Sequence, residues 1–131
     1  MNLLIIAIGG ALGSMLRYLA SEAILKLTKS WQIFTSFPIG TSFVNVVGSL
    51  VAGIIYYFAI KNFDSFDPRL KLLLFTGFLG GFTTFSAFSI DFLRLTMAGQ
   101  YINAAVYAVA SVVLSIMAVF FGFYLAKFLI S

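Results

Sequence analysis

Apolar residues fall in four long runs, and polar residues gather in the short stretches between them. The runs extend from about Leu3 to Leu27, Ile39 to Ile60, Leu70 to Leu95 and Tyr101 to Ile130. About 20 apolar residues wound as a helix cross the hydrocarbon of a bilayer, so each run predicts one membrane-spanning helix. The linkers hold turn and interface chemistry. Thr28–Pro38 carries Lys29 and Trp31, residue types that suit the membrane–water boundary. Asn62, Asp64, Asp67 and Pro68 predict a turn followed by a helix start, and Gly99 lies between the last two runs. No linker has room for an extramembrane domain, so residues 1–131 read as a single four-helix membrane domain. The first run lacks an early basic region and a small-residue cleavage site, and it is too long for a signal peptide, so it reads as structure.

Composition sharpens this. Of 131 residues, 62% are hydrophobic and 9% charged, against roughly 45–50% and about 25% in an ordinary globular domain. Too few polar residues remain to cover a soluble protein, which excludes a soluble enzyme and a disordered tail. The chain has no Cys and no His. That removes the usual zinc sites, haem ligation, disulfides, thiolate chemistry and a Ser–His triad. The carboxylates are Glu22, Asp64, Asp67 and Asp91, too sparse for paired-carboxylate catalysis, so the expectation is not an enzyme. The net charge of +4 is scattered rather than clustered, which argues for loop and lipid-interface chemistry and against nucleic acid.

The scatter also bears on topology. Four spans put the N-terminus, the second linker and the C-terminus on one side, with Lys61, Arg69, Lys71 and Lys127. Lys26, Lys29 and Arg94 fall on the other side, a tally of 4 against 3 with Arg17 left out. Orientation needs a clear basic excess. Either one residue decides it, or copies insert both ways and pair antiparallel. Four short helices enclose little interior, so oligomerisation is expected in both cases.

Small residues recur at four-residue spacing: Gly9 and Gly13, Ser49 and Gly53, Ala104 and Ala108, Ser111 and Ser115. Such pairs let helix backbones approach closely. Gly9–Gly13 lies within an apolar helix with no P-loop lysine, so it is no nucleotide loop. Polar groups inside the spans are few. Arg17 needs a partner, a wet vestibule or a route to the interface. Asn45 either ties two helices together or donates to an anion. Ser89, Ser111, Ser115 and Tyr107 add hydroxyls, although membrane serines often bond their own i−4 carbonyl.

The third run is the most unusual. It reads Thr76-Gly77-Phe78-Leu79-Gly80-Gly81-Phe82-Thr83-Thr84-Phe85-Ser86-Ala87-Phe88-Ser89. Paired glycines beside paired threonines make a poor helix centre, which predicts a break near residues 80–84. In hydrocarbon a break is tolerated only where protein buries it or a polar cavity meets it. Freed carbonyls can hold a cation, and freed N–H groups favour an anion. Phe75, Phe78, Phe82, Phe85, Phe88 and Phe92 follow one helical face. Most of these pack or meet lipid, but Phe85 and Phe88 alternate with Ser86 and Ser89 just past the break. The positive edge of an aromatic ring suits a small anion there.

These motifs resemble the Fluc (CrcB) family of fluoride channels over essentially the whole length. The shared features are Gly9-Gly10-Ala11-Leu12-Gly13 followed by Arg17, Gly40-Thr41 with Val44-Asn45 and Gly48, and above all Gly77 through Ser89. The resemblance implies an antiparallel, dual-topology homodimer with two fluoride pathways at its interface. It also implies a structural sodium ion at the dimer centre, held by the backbone carbonyls of Gly80 and Thr83. By the same resemblance Phe85 and Phe88 line the pore with Asn45, Ser89, Ser115 and Tyr107 continue a hydrogen-bonding track, and Arg17 stands near the vestibule. Two departures are Ala87, where the family usually has Thr, and Asp91, where Glu is common. The implied function is passive fluoride export across the cytoplasmic (inner) membrane. Two other readings stand beside it. A small multidrug-type proton/cation antiporter would need an embedded carboxylate in the first span, where only Glu22 is available late in the run. A non-transporting scaffold would use only the small-residue seams.

Overall fold

A computed structural model describes residues 1–29, 37–62 and 66–130; Trp31 and Asp64 lie outside them. The described residues are helical, with no strand among them. Helix α1 spans Asn2–Thr28 and α2 spans Ile39–Lys61. The third span, Pro68–Met97, is composite. It opens with α3 (Pro68–Lys71), continues as a π-helical stretch (Leu72–Leu79) and a short α4 (Gly80–Phe82), and resumes as α5 (Phe85–Met97). Helix α6 covers Tyr101–Ile130. Four segments are thus long and apolar enough to cross a membrane, which makes the chain a multi-pass membrane protein.

The ends of these helices follow from local chemistry. Asp67 caps α3 by accepting from the Arg69 N–H at 2.7 Å, and Pro68 stands where no intrahelical N–H is needed. Between α5 and α6, Gly99 takes φ +72°, a conformation that costs other residues a clash at Cβ. It lets the Gly99 and Gln100 N–H groups donate back to the carbonyls of Thr96 and Leu95 at 3.0 and 2.9 Å, closing the helix end.

Packing runs along two backbone seams. Helix α1 lies against the π-helical stretch and α4, while α2 lies against α6. In the first seam a Cβ on Gly9 or Gly13 would meet the backbone carbonyls of Leu73 or Phe78, and a Cβ on Gly81 would meet that of Gly10. In the second, Gly53 faces the Val119 carbonyl and Gly122 faces the Leu50 carbonyl. The Gly9–Gly13 and Ser49–Gly53 spacings therefore mark real seams. Gly77 and Gly81, themselves four residues apart, and Gly122 complete them from the opposite side. The interior is thin: Val44 and Tyr107 are the only large side chains fully buried among the described residues. Leu, Ile, Val and Phe side chains are widely exposed along α1 and α6, as expected of faces that meet lipid.

One feature departs from the expectation. The third span leaves α-helical geometry at Leu72, well before the anticipated break. Leucines carry no signal for such a widening. It coincides with the closest approach to α1, where Gly77 lies against the Ile6 carbonyl and the Gly9 Cα.

The seams yield a direct test. Gly13→Ala forces a methyl group into the Phe78 carbonyl and should cost about 1–3 kcal/mol by overpacking. Gly10→Ala meets nothing closer than 3.9 Å. Thermal unfolding in detergent should show a lowered midpoint for Gly13→Ala and no loss for Gly10→Ala.

Candidate functional site

The site grows from the interruption in the third span. Thr83 (φ −87°, ψ 155°) and Thr84 (φ −152°, ψ 118°) are extended between two helical pieces. An extended pair inside a bilayer needs substitutes for its helical hydrogen bonds. Asn45, on the facing side of α2, supplies them. Its Oδ1 accepts from the Thr84 N–H at 2.8 Å, and its Nδ2 donates to the Thr84 carbonyl at 3.0 Å. The carboxamide therefore treats Thr84 as a neighbouring strand would. The Thr84 hydroxyl caps α5 by accepting from the Ala87 N–H at 3.2 Å, and the Thr83 hydroxyl donates to the Leu79 carbonyl at 2.8 Å. Gly48 makes room for this, because a Cβ there would overlap the Thr83 methyl and the Phe82 ring.

These bonds have a consequence for the carbonyls. In an uninterrupted helix the Thr84 N–H would serve the Gly80 carbonyl, and the Ala87 N–H would serve that of Thr83. Asn45 takes the first donor and the Thr84 hydroxyl takes the second. Gly80 and Thr83, the two expected cation-binding positions, are thus among the residues at the break whose usual helical donors are diverted. Gly80 is exposed, and a Cβ there would find only ordinary contact with the Phe75 carbonyl at 3.6 Å. Packing within the chain does not demand a glycine at that point.

Beside the break runs an open groove of about 390 Å³ between α2, α5 and α6. Asn45, Thr84, Phe85, Phe88, Ser111 and Ser115 line it together with apolar residues. Phe85 and Phe88 stand 5.3 Å apart, Phe88 and Tyr107 5.2 Å, and Phe37 meets Tyr107 edge-on at 5.5 Å. A ladder of rings therefore follows the polar groups inward. On α6, Tyr107, Ser111 and Ser115 recur every four residues and share one face. Ser111 and Ser42 are hydrogen-bonded at 3.0 Å. Beyond them Asp91 collects three contacts. Thr41 Oγ1 donates to Oδ2 at 2.6 Å, the Tyr107 hydroxyl donates to the same oxygen at 3.4 Å, and Arg94 Nη2 pairs with Oδ1 at 2.9 Å. A second cavity, of about 570 Å³, opens past this cluster.

The sequence-predicted residues divide accordingly. Asn45, Phe85, Phe88 and Ser115 meet in the groove, and Tyr107 is fully buried at its inner end. Phe85 is 76% exposed, which leaves one wall of the groove open. Ser89 is not among the lining residues; its hydroxyl donates to the Phe85 carbonyl one turn back at 3.0 Å. Arg17 is half-buried on α1 and lines neither cavity. Thr41, Ser42, Ser111 and Asp91 did not stand out as site residues. A lone acid in an apolar span needs partners, and that rule applied to Asp91 finds the cluster.

Fold and site together define a small polytopic membrane protein with an open groove between its helices, lined by apolar residues and a few polar ones. A family model described as CrcB-like protein, Camphor Resistance (CrcB) matches residues 4–123. A fluoride-specific ion channel FluC of Rhizobium etli is 44% identical over 127 residues, 97% of each chain. One of Rhizobium leguminosarum bv. trifolii is 46% identical over 119 residues, 91% of this chain and 90% of its own. A further FluC, of Helicobacter pylori, is 40% identical over 121 residues, covering 92% and 89%. The chain belongs to the CrcB family. The small multidrug-type antiporter reading finds no support in these relatives.

The clamp can be tested without reference to function. Asn45→Leu removes two hydrogen bonds, each contributing about 1 kcal/mol, and strands the Thr84 backbone. Hydrogen–deuterium exchange should speed up at residues 83–85 in the variant and stay unchanged at the distant end of α6. Unchanged protection at Thr84 would show that the carboxamide does not hold the break.

Proposed function

We propose that this protein is a fluoride-selective passive channel that exports fluoride across the cytoplasmic membrane, working as an antiparallel homodimer with two pores. The observation that carries this reading is the groove. Phe85 and Phe88 line it together with Ser111 and Ser115, and Phe88 packs on Tyr107, which shares Asp91 with Thr41. Fluoride is small and strongly hydrated, so a pathway must replace its water with several weak, oriented donors. Hydroxyls supply O–H dipoles, and aromatic edges supply positive quadrupole density. Neither holds an anion so tightly that it cannot leave. The relatives from Rhizobium, fluoride-specific ion channels, support the same ion.

A second copy completes the wall that one chain leaves open at Phe85. The near-even spread of basic residues over the two sides supports insertion in both orientations and hence antiparallel pairing. Sodium fits the break, because the carbonyls of Gly80 and Thr83 are hard oxygen donors with diverted helical partners. A bound sodium ion supplies fixed positive charge at the dimer centre. This chain contributes the break, with helical Gly80 and extended Thr83 on its two sides, and Asn45 holds Thr84 in its extended shape. Asn45 keeps one amide proton beyond the one given to Thr84, enough to contribute to the groove while it clamps the break. The chemistry is permeation, with no bond made or broken, which agrees with the reading that the protein is not an enzyme.

Fluoride-electrode efflux from proteoliposomes tests the assignment. Phe85→Ile keeps the bulk and removes the ring edge, and should slow efflux by about tenfold or more if that edge contributes on the order of 1.4 kcal/mol. Phe128→Ile, on an outward position that is 84% exposed, should leave efflux unchanged. Wild-type efflux in assembled Phe85→Ile protein would remove Phe85 from the pathway.

A further inference from the structure

We propose that the second cavity is the mouth through which the anion reaches the polar track, and that Arg94 is the residue that makes this mouth passable. The proposal rests on the channel reading above and adds a charge device particular to this chain. The cavity, about 570 Å³, is lined by Ser21 of α1, Thr41 of α2, Asp91 and Arg94 of α5, and Gln100 of the following turn. Asp91 and Arg94 are the only charged side chains among its described lining residues. Asp91 lies beside the hydroxyls of Thr41 and Tyr107, at 2.6 and 3.4 Å, so an anion moving between this cavity and the Ser111 end of the groove must pass a carboxylate. Alone, that carboxylate gives the mouth a charge of −1 and repels the permeant ion. Arg94 cancels it by pairing with Oδ1 at 2.9 Å, which leaves Oδ2 to the two hydroxyls.

The pair is poorly explained as a stability device. The Arg94 side chain is 67% exposed and that of Asp91 13%, so solvent screens the guanidinium end and the pair adds less to folding than its two charges alone suggest. Their disparity fits a different use. The carboxylate is fixed inside, while the guanidinium reaches into the open cavity with further N–H donors directed away from Asp91. It offers an arriving anion a positive charge at the point where the local field would otherwise be negative. A field of this kind acts on association and is screened by salt. Arg17, the basic residue first expected near a vestibule, lines no part of this cavity. Arg94 is a positioning and recruiting residue here, with Thr41 and Tyr107 as its indirect targets.

The chain has no cysteine, which permits a test within a single folded protein. Fluoride efflux from proteoliposomes is measured at low and at high ionic strength for wild type, Arg94→Gln, Arg94→Lys and Arg94→Cys. The expected result is a loss of about tenfold in Arg94→Gln at low salt, a much smaller loss near 1 M salt, where the screening length falls to about 3 Å, and near-wild-type efflux in Arg94→Lys. Arg94→Cys protein is also modified in detergent before reconstitution. A cationic methanethiosulfonate should restore efflux, and an anionic one should depress it further. This comparison uses assembled protein before and after labelling, so it holds even if Arg94→Gln folds poorly. Equal efflux for wild type and Arg94→Gln at low salt, or the same response to both reagents, overturns the role of Arg94 and leaves the channel reading intact. Absence of fluoride efflux from wild type itself overturns both.

Discussion

The structure depends on how an interrupted backbone is satisfied inside a membrane. Thr83 still donates its N–H to the Leu79 carbonyl at 2.9 Å, but the extended Thr84 has no helical partner, and hydrocarbon offers no water in its place. Asn45 meets both backbone groups of Thr84 with one carboxamide, at 2.8 and 3.0 Å. That pairing fixes the break in space, orients the start of α5 and so points Phe85 and Phe88 toward α6. It also takes the donor that the Gly80 carbonyl would have used. A single polar side chain thus sets the shape of the groove and diverts the helical donor of the Gly80 carbonyl beside it.

The break can be buried only because neighbouring helices come close. Gly9 and Gly13 bring α1 against the carbonyls of Leu73 and Phe78, and Gly53 and Gly122 interlock α2 with α6. Gly48 then admits the Thr83 methyl and the Phe82 ring. Without a hydrophobic driving force between helices, such close van der Waals contact is what holds a membrane bundle together. The same geometry leaves polar hydroxyls in a file: Ser115, Ser111 and Tyr107 on α6, and Thr41 and Ser42 on α2. Among the described residues, Asp91 is the acid that meets that file, held by Thr41, Tyr107 and Arg94.

Much of this was legible in the sequence, because the strongest constraints are local. Uninterrupted apolar runs require spans, and Gly80-Gly81 with Thr83-Thr84 requires a break. The seams at Gly9–Gly13 and Ser49–Gly53 follow from spacing alone. Gly77 and Gly81 share that four-residue spacing, but which small residues face each other, Gly122 included, depends on which helix lies opposite, and spacing within one helix does not encode that. The π-helical winding from Leu72 is hidden for the same reason. At the site, the aromatic–serine alternation marked Phe85 and Phe88. It also drew in Ser89, whose hydroxyl bonds its own helix at the Phe85 carbonyl. Asn45 was recognised as a helix tie or an anion donor, and the structure gives it the first task at Thr84. The hub at Asp91 joins residues 41, 91, 94 and 107, a long-range cluster that no local pattern announces.

Proteoliposomes loaded with fluoride and chloride together can be read with two ion-selective electrodes. Vesicles carrying wild-type protein should release fluoride far faster than protein-free vesicles while chloride stays inside. Release of both anions together, or of neither, would contradict a fluoride-selective channel.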